Sequence, residues 1–246
     1  MPACFPPKQW VRLTASEQFG VSHAGRLPKP VDQPPGASEV DSLQIGLAAV
    51  DGPLTAAWQR WCGDLRCVEV HQGSIFETTC DAVVSPANSF GFMDGGIDRL
   101  YTEFFGAAVQ ERVQACIRSC HDGELLVGQA DIVPTDHTRI PYLIAAPTMR
   151  VPTALGRSVH PYLAARAVLL LVVRGRFSWG ESAGQPVADR VRRVAFPGLG
   201  TGVGRVPPTV CAKQVRAAIE DFVLGRFEFP DSTLQARKRH DRLAGE

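Results

Sequence analysis

Several common signatures are missing from this chain, and each absence removes a class of function. There is no C-x-x-C pair and no glycine run followed by Lys-Ser or Lys-Thr. A P-loop is therefore excluded. Charge of one sign is also missing: 26 Lys and Arg against 25 Asp and Glu leave a net charge of +1. A nucleic-acid or membrane-surface partner would need a basic footprint, so neither is expected. The short basic cluster Arg237-Lys238-Arg239-His240 reads as a solvated tail. Long apolar runs are lacking too. The longest, Ala167 to Val173, falls far short of the roughly 20 residues that cross a bilayer. Met1 to Trp10 has no charged start leading into an apolar stretch, so a secretory signal is not expected. A cytoplasmic or nuclear location is the expectation.

The seven cysteines are odd in number and spread over a long chain, which argues against a disulfide framework. Cys116, Cys120 and His121 lie close together, but structural zinc wants four convergent ligands, usually from two short clusters. Only one cluster is visible, on a segment with helical spacing. The expectation is buried thiols on a helix face and no metal. No cofactor is expected.

What is present is an ordinary globular composition: 45% hydrophobic and 21% charged residues over 246 positions. That length fits one large domain or one domain with tails. Residues 1–40 hold seven of the 19 prolines and little apolar periodicity. They read as a disordered or loosely attached leader, because such a segment cannot offset its ordering entropy by burial. The folded domain is expected over 41–229, with a polar, frayed C-terminal tail over 230–246.

Within the domain, strands and helices alternate. Leu43 to Val50, Cys67 to His71, Ala82 to Ser85, Gln129 to Pro134, Tyr142 to Ala146 and Arg193 to Phe196 read as strands. Leu54 to Trp61, Ile97 to Cys120 with a break near Gly106, Val159 to Val173 and Thr209 to Leu224 read as helices. Arg176 to Arg190 is rich in Gly, Ser and polar residues and reads as a surface loop. Such alternation predicts an α/β fold: a three-layer α/β/α sandwich around a mixed, largely parallel sheet. Ligands of such sheets sit beyond the carboxyl ends of the strands.

Two strand-to-helix loops have the composition for that task. In the first, Asn88 to Asp98, Gly95 and Gly96 let backbone approach a ligand, and their amides open a helix that favours an anion. Asn88 both donates and accepts, which suits a pair of sugar hydroxyls. Asp98 falls in the first helical turn, where a carboxylate is favoured by the dipole whether or not it also does chemistry. In the second loop, Gly198 to Gly204, four alternating glycines offer consecutive amides as a nest for phosphate oxygens. Either loop alone is a weak signal. Two in one sheet point to a shared anionic ligand.

These residues, in this order and spacing, resemble the macro domain family over most of 65–225. Gln72-Gly73-Ser74-Ile75 is similar to the family's strand followed by Gly-Asp-Ile. Asp81-Ala82-Val83-Val84-Ser85-Pro86-Ala87-Asn88 is similar to its D-A-I-V-N-A-A-N strand. Gly95-Gly96-Ile97-Asp98 resembles its first glycine loop with the following Val-Asp. Gly200-Thr201-Gly202-Val203-Gly204-Arg205-Val206-Pro207 resembles its second, of the type S-T-G-I-Y-G-Y-P. Asn88 to Gly96 looks especially like the branch labelled phage-tail-like macro domains.

The resemblance implies an ADP-ribose or ADP-ribosylated-protein partner. It implies that Gly73, Ser74 and Ile75 border the adenine and Asn88 holds the distal ribose. Gly95 and Gly96 would line the diphosphate and distal ribose. Gly200, Thr201, Gly202, Val203 and Gly204 would cradle the diphosphate. Asp98 falls where hydrolytic members place the acid that activates water, so Asn88 and Asp98 are the candidate catalytic pair. Two functions remain open, an ADP-ribosyl ester hydrolase and a reader that binds without turnover, with a phage-tail-related structural role as a third.

The chain departs from the family pattern in four places. Ser74 replaces the acid that accepts from the adenine amino group. Gly204 replaces the aromatic of the second loop, for which Phe90 or Phe92 is a candidate substitute. Asp94 adds a carboxylate beside the glycines. After the last helix, Arg226 to Phe229 stands where another strand is usual, and the early Leu43 to Val50 strand is a candidate to fill that place.

Overall fold

The structure, a computed structural model, describes residues 43–245, and these belong to one compact unit. The reading of 1–40 as a leader lies outside the described residues. Six strands and six helices follow in order: β1 (Gln44–Ala49), α1 (Gly52–Cys62), β2 (Val68–Gln72), β3 (Ala82–Ser85), α2 (Gly96–Phe105), α3 (Ala108–Cys120), β4 (Asp131–Pro134), β5 (Tyr142–Ala145), α4 (His160–Arg174), β6 (Arg193–Phe196), α5 (Pro208–Phe222) and α6 (Thr233–Ala244).

The sheet order is β2-β1-β6-β3-β5-β4. Every neighbouring pair is parallel except the edge pair β4–β5, which is antiparallel. The polar turn between β4 and β5 makes that pair a hairpin, whereas parallel neighbours need a crossover. The central strands bury both faces, which is why they read as continuous apolar runs in the sequence. Their residues alternate between two cores. Ala82 and Val84, Ile144, Val194 and Phe196 point into one core with α1, α4 and α5. Val83, Leu143 and Ala195 point into the other, with α2 and α3. This is the three-layer α/β/α sandwich that the alternation predicts.

Local chemistry sets the element ends that matter for function. Asp51 caps α1, its Oδ1 accepting from Leu54 N at 2.9 Å, and Pro53 fills the first turn. The long apolar pattern from Ile97 to Cys120 breaks at Gly106, whose φ of +89° turns α2 out of line with α3. β1 is hydrogen-bonded on both sides, between β2 and β6. Arg226 to Phe229 forms no strand.

The segment 176–190 is the polar surface loop expected, pinned by the buried Phe177 and Val187 and by a short 3-10 turn over Val187–Asp189. One expectation needs correction. The C-terminal tail is not frayed. Ser232 caps α6, its Oγ accepting from Gln235 N at 3.3 Å. Arg239 then pairs with the buried Asp221 of α5, and the buried Gln214 of α5 donates to Leu243 O at 2.9 Å. The sequence reads as a tail because α6 attaches through charges and amides rather than an apolar stripe.

Candidate functional site

The carboxyl ends of β1, β3 and β6 open into one cavity of about 310 Å³, within the size range of small-molecule sites. Both glycine loops line it.

The first loop is folded by its own asparagine. Asn88 Oδ1 accepts from Phe90 N at 3.1 Å and Phe92 N at 3.3 Å, and Nδ2 donates to Phe92 O at 2.8 Å. Met93 is fully buried and anchors the far end, its N–H held by Gln110 Oε1 at 2.7 Å. The chain then turns through Gly96, whose φ of +55° is the left-handed region that glycine enters without strain. α2 therefore starts at the cavity wall, and no side chain caps it. Its first-turn amides keep their donor capacity on that side.

Asp98 sits in that first turn, 6% exposed, at the cavity wall. Ser85, the last residue of β3, donates its hydroxyl to Asp98 Oδ1 at 2.5 Å. Burial pushes the Asp98 carboxyl up to about 7, against the lowering effect of the Ser85 hydroxyl and with a further push from Asp94. The exposed Asp94 thus stands on the cavity wall as a like charge near Asp98 rather than as a cap.

The second loop is shaped by backbone alone. Val206 N donates to Gly200 O at 3.0 Å, and Leu155 N donates to Gly204 O at 2.8 Å. A Cβ on Gly204 would stand 2.5 Å from Gly200 O, so only glycine fits that crossing. Among the described residues, the N–H groups of Gly200 to Gly204 donate to no backbone carbonyl. They are a set of donors held at the cavity wall without a partner in the chain's own backbone, which is the nest expected for anionic oxygens.

The third segment, Gly73 to Ile75, follows β2. Ser74 is spent on local structure: its Oγ accepts from Phe76 N at 3.3 Å, while Glu77 Oε2 accepts from Ser74 N at 3.2 Å. This capping box is the reason a serine serves at this turn.

The binding and catalytic candidates from the resemblance line the one cavity: Gly73 to Ile75, Asn88, Gly95, Gly96, Asp98 and Gly200 to Gly204. Phe92 lines it as well and is 54% exposed, whereas Phe90 lies under the Arg150 guanidinium, 5.1 Å from its ring centroid. His71 is outside the wall, 3.2 Å from Glu77. His160 opens α4 and hydrogen-bonds Thr148 O at 2.8 Å. Sequence reasoning missed three contributors: Ser85, the β1 end from Ala48 to Asp51, and Thr148 and Met149 after β5. The β1 end had a signal, since Asp51-Gly52-Pro53 is another strand-to-helix junction at the carboxyl edge. Ser85 had none, because only the fold shows which face of β3 meets α2. Among the described residues, the one group of three metal-ligating side chains, Cys116, His121 and Asp131, is not part of the cavity wall.

Residues 84–215, more than half of the chain, match the family model described as Macro domain. An uncharacterised protein of Aquifex aeolicus is 30% identical over 155 residues, covering 63% of this chain and 82% of its own length. An uncharacterised protein of Aeropyrum pernix is 27% identical over 158 residues, covering 64% of this chain and 73% of its own. Among solved structures, a mutant of the Oceanobacillus iheyensis macrodomain, determined with ADPR, is similar at a TM-score of 0.50 and 17% identity. That match covers 70% of this chain and 88% of the other, and it is a likeness of fold. On the family match and the Aquifex relative, this chain is a member of the macro domain family.

Proposed function

We propose that the cavity binds ADP-ribose and that the protein hydrolyses ADP-ribosyl esters, either on protein Asp and Glu side chains or as O-acetyl-ADP-ribose. The single observation that carries the catalytic part is Asp98, buried at the cavity wall with its carboxyl pushed up to about 7. A base works best when its pKa lies near the working pH, and general-base assistance contributes about 10²–10⁴-fold.

The diphosphate fits the unpartnered amides of Gly200 to Gly204 and the uncapped start of α2. The macro domain structures similar to this chain include one determined with ADPR, which agrees with that ligand. Asp98 takes a proton from the attacking water as its oxygen adds to the ester carbonyl. The ester bond breaks as Asp98 returns that proton to the departing ribose oxygen, and the carboxylic acid and free ADP-ribose leave. Ser85 holds the carboxylate in one orientation, which lowers the cost of bringing water and ester together.

Asn88 acts chiefly by shaping the first loop, since both its carbonyl acceptances and one of its two amide protons are used within that loop. It keeps one N–H for a ribose hydroxyl. That limited capacity, with no aromatic in the second loop, favours a second reading: a reader that holds ADP-ribose without turnover. Calorimetry with ADP-ribose tests the binding, which both readings require. Release of ADP-ribose from a glutamyl-ADP-ribosylated peptide, compared with the Asp98→Asn variant, separates them. Equal rates in the two proteins remove Asp98 from the mechanism, and binding without release selects the reader.

A further inference from the structure

Away from the cleft, the densest set of ligating side chains lies where α3 ends and β4 begins. Cys116 and Cys120 are four apart on α3 and so share a helix face. His121 follows at the end of the helix. Asp131 opens β4, and the fold returns it to that helix end. His121 Nε2 is 2.7 Å from Asp131 Oδ2. The donor atoms of Cys116, His121 and Asp131 all lie within 4.8 Å of one another. Cys116 and Asp131 are buried, and the His121 side chain is 16% exposed. Ser178, from the segment after α4, closes the group: its Oγ donates to Asp131 Oδ2 at 2.5 Å and stands 3.8 Å from Cys116 Sγ. The Cys120 thiol sits against the same residue, 3.6 Å from Ser178 O.

We propose that Cys116, His121 and Asp131 form a site for a thiophilic divalent cation of the zinc class. Sulfur, imidazole and carboxylate together form a zinc donor set, whereas magnesium and calcium select oxygen alone. Zinc bonds of roughly 2.0–2.3 Å in a tetrahedron separate the donor atoms by roughly 3.2–3.7 Å. Side-chain movements of under an ångström or so bring three atoms already within 4.8 Å to that geometry. The sequence shows one short cluster. The fold adds Asp131 from β4, which is the convergence a single helix cannot provide. On binding, the Cys116 thiol gives up its proton to solvent, and His121 Nε2, which now donates to Asp131, exchanges its proton for the ion while Nδ1 carries the remaining ring proton.

The place of the site gives it a structural purpose. The chain between α3 and β4 is tied to the first cleft loop, Leu125 N donating to Ser89 O at 2.9 Å. An ion joining the α3 end to the β4 start braces that connection, one residue from Asn88.

Cobalt(II) titration of chelator-treated protein tests the proposal, because a thiolate-to-cobalt charge-transfer band reports sulfur ligation directly. The expected result is one cobalt per chain, with a near-ultraviolet band and tetrahedral visible absorption. Cys116→Ser should lose the band, His121→Asn and Asp131→Asn should bind more weakly, and Cys67→Ser should behave as the parent. Zinc should raise the melting temperature of the parent and of Cys67→Ser, and leave that of Cys116→Ser unmoved. A parent protein that takes up no cobalt overturns the site, whatever the variants do. So does a charge-transfer band that survives Cys116→Ser.

Discussion

Asp98 and Asp131, two of the three buried aspartates among the described residues, face different chemistry. Asp98 is 6% exposed and Asp131 4%, yet their surroundings differ. Asp98 has one side-chain donor, the Ser85 hydroxyl, and a like charge at Asp94. Asp131 has three partners: His121 Nε2 at 2.7 Å, Ser178 Oγ at 2.5 Å and Ile132 N at 2.8 Å. A carboxylate stripped of water and given one donor holds its proton too readily, and it sits beside an open cavity where that proton is exchangeable. A carboxylate surrounded by donors on every side is a fixed acceptor, suited to holding structure or an ion. Burial alone does not distinguish a reactive group from a structural one. The count of donors, and what lies on the open side, does.

The largest expected effect breaks the comparison on the Asp98 side. Asp98→Asn keeps the shape and an acceptor for Ser85 but removes the base, so ester turnover should fall by about 10²–10⁴-fold. ADP-ribose affinity should change little, because the amides of the two loops are untouched. Single-turnover release of ADP-ribose, read beside calorimetry, checks both halves. On the other side, Asp131→Ala in chelator-treated protein leaves His121 and Ser178 without their acceptor. That should cost roughly 2–3 kcal/mol, less than for a fully buried ion pair because His121 retains some solvent. Urea denaturation measures it, and a loss below about 0.5 kcal/mol, the range of ordinary surface changes, would put Asp131 outside the load it is assigned here.

A smaller effect sharpens the role of Ser85. Its hydroxyl lowers the Asp98 carboxyl toward the normal range, so Ser85→Ala should raise it above its present value of about 7. Turnover by a base rises as the group loses its proton. The alkaline-rising limb of the pH–rate profile should therefore move to higher pH, with the rate at neutrality reduced more than the plateau. An unmoved limb would mean that Ser85 orients nothing that matters to the reaction.

The contrast also shows which parts were legible in sequence. The central strands were, because burial on both faces leaves apolar runs such as Ala82 to Ser85 and Arg193 to Phe196. The two loops were, because positive φ and close backbone crossings demand glycine at positions such as Gly96 and Gly204. Their convergence on one cavity followed from the parallel sheet, which puts every strand-to-helix loop at the same edge. Pairings between segments were not legible. Ser85 meets Asp98, and Asp131 meets His121 and Ser178, through contacts that leave no periodicity behind. Asn88 was read as a ligand group, yet most of its hydrogen-bonding capacity shapes its own loop. The C-terminal helix was missed for a related reason, since Arg239 and Leu243 attach it to buried polar groups on α5 rather than to an apolar stripe.

The last expected effect is thermodynamic and needs no substrate. In the unfolded chain Asp98 ionises near its ordinary value of 3.8, whereas in the fold it holds its proton to about 7. Between those values the folded state binds more protons than the unfolded one, so this group makes stability fall as pH rises through the window. Asparagine has no such titration. Asp98→Asn should therefore melt at nearly the parent temperature at pH 4, and several degrees above it at pH 8, where the parent carries a poorly solvated anion. Scanning calorimetry at the two pH values reads the difference directly. A variant with the same offset at both would mean that Asp98 is solvated or paired as well as Asp131, and the distinction between the two carboxylates would be lost.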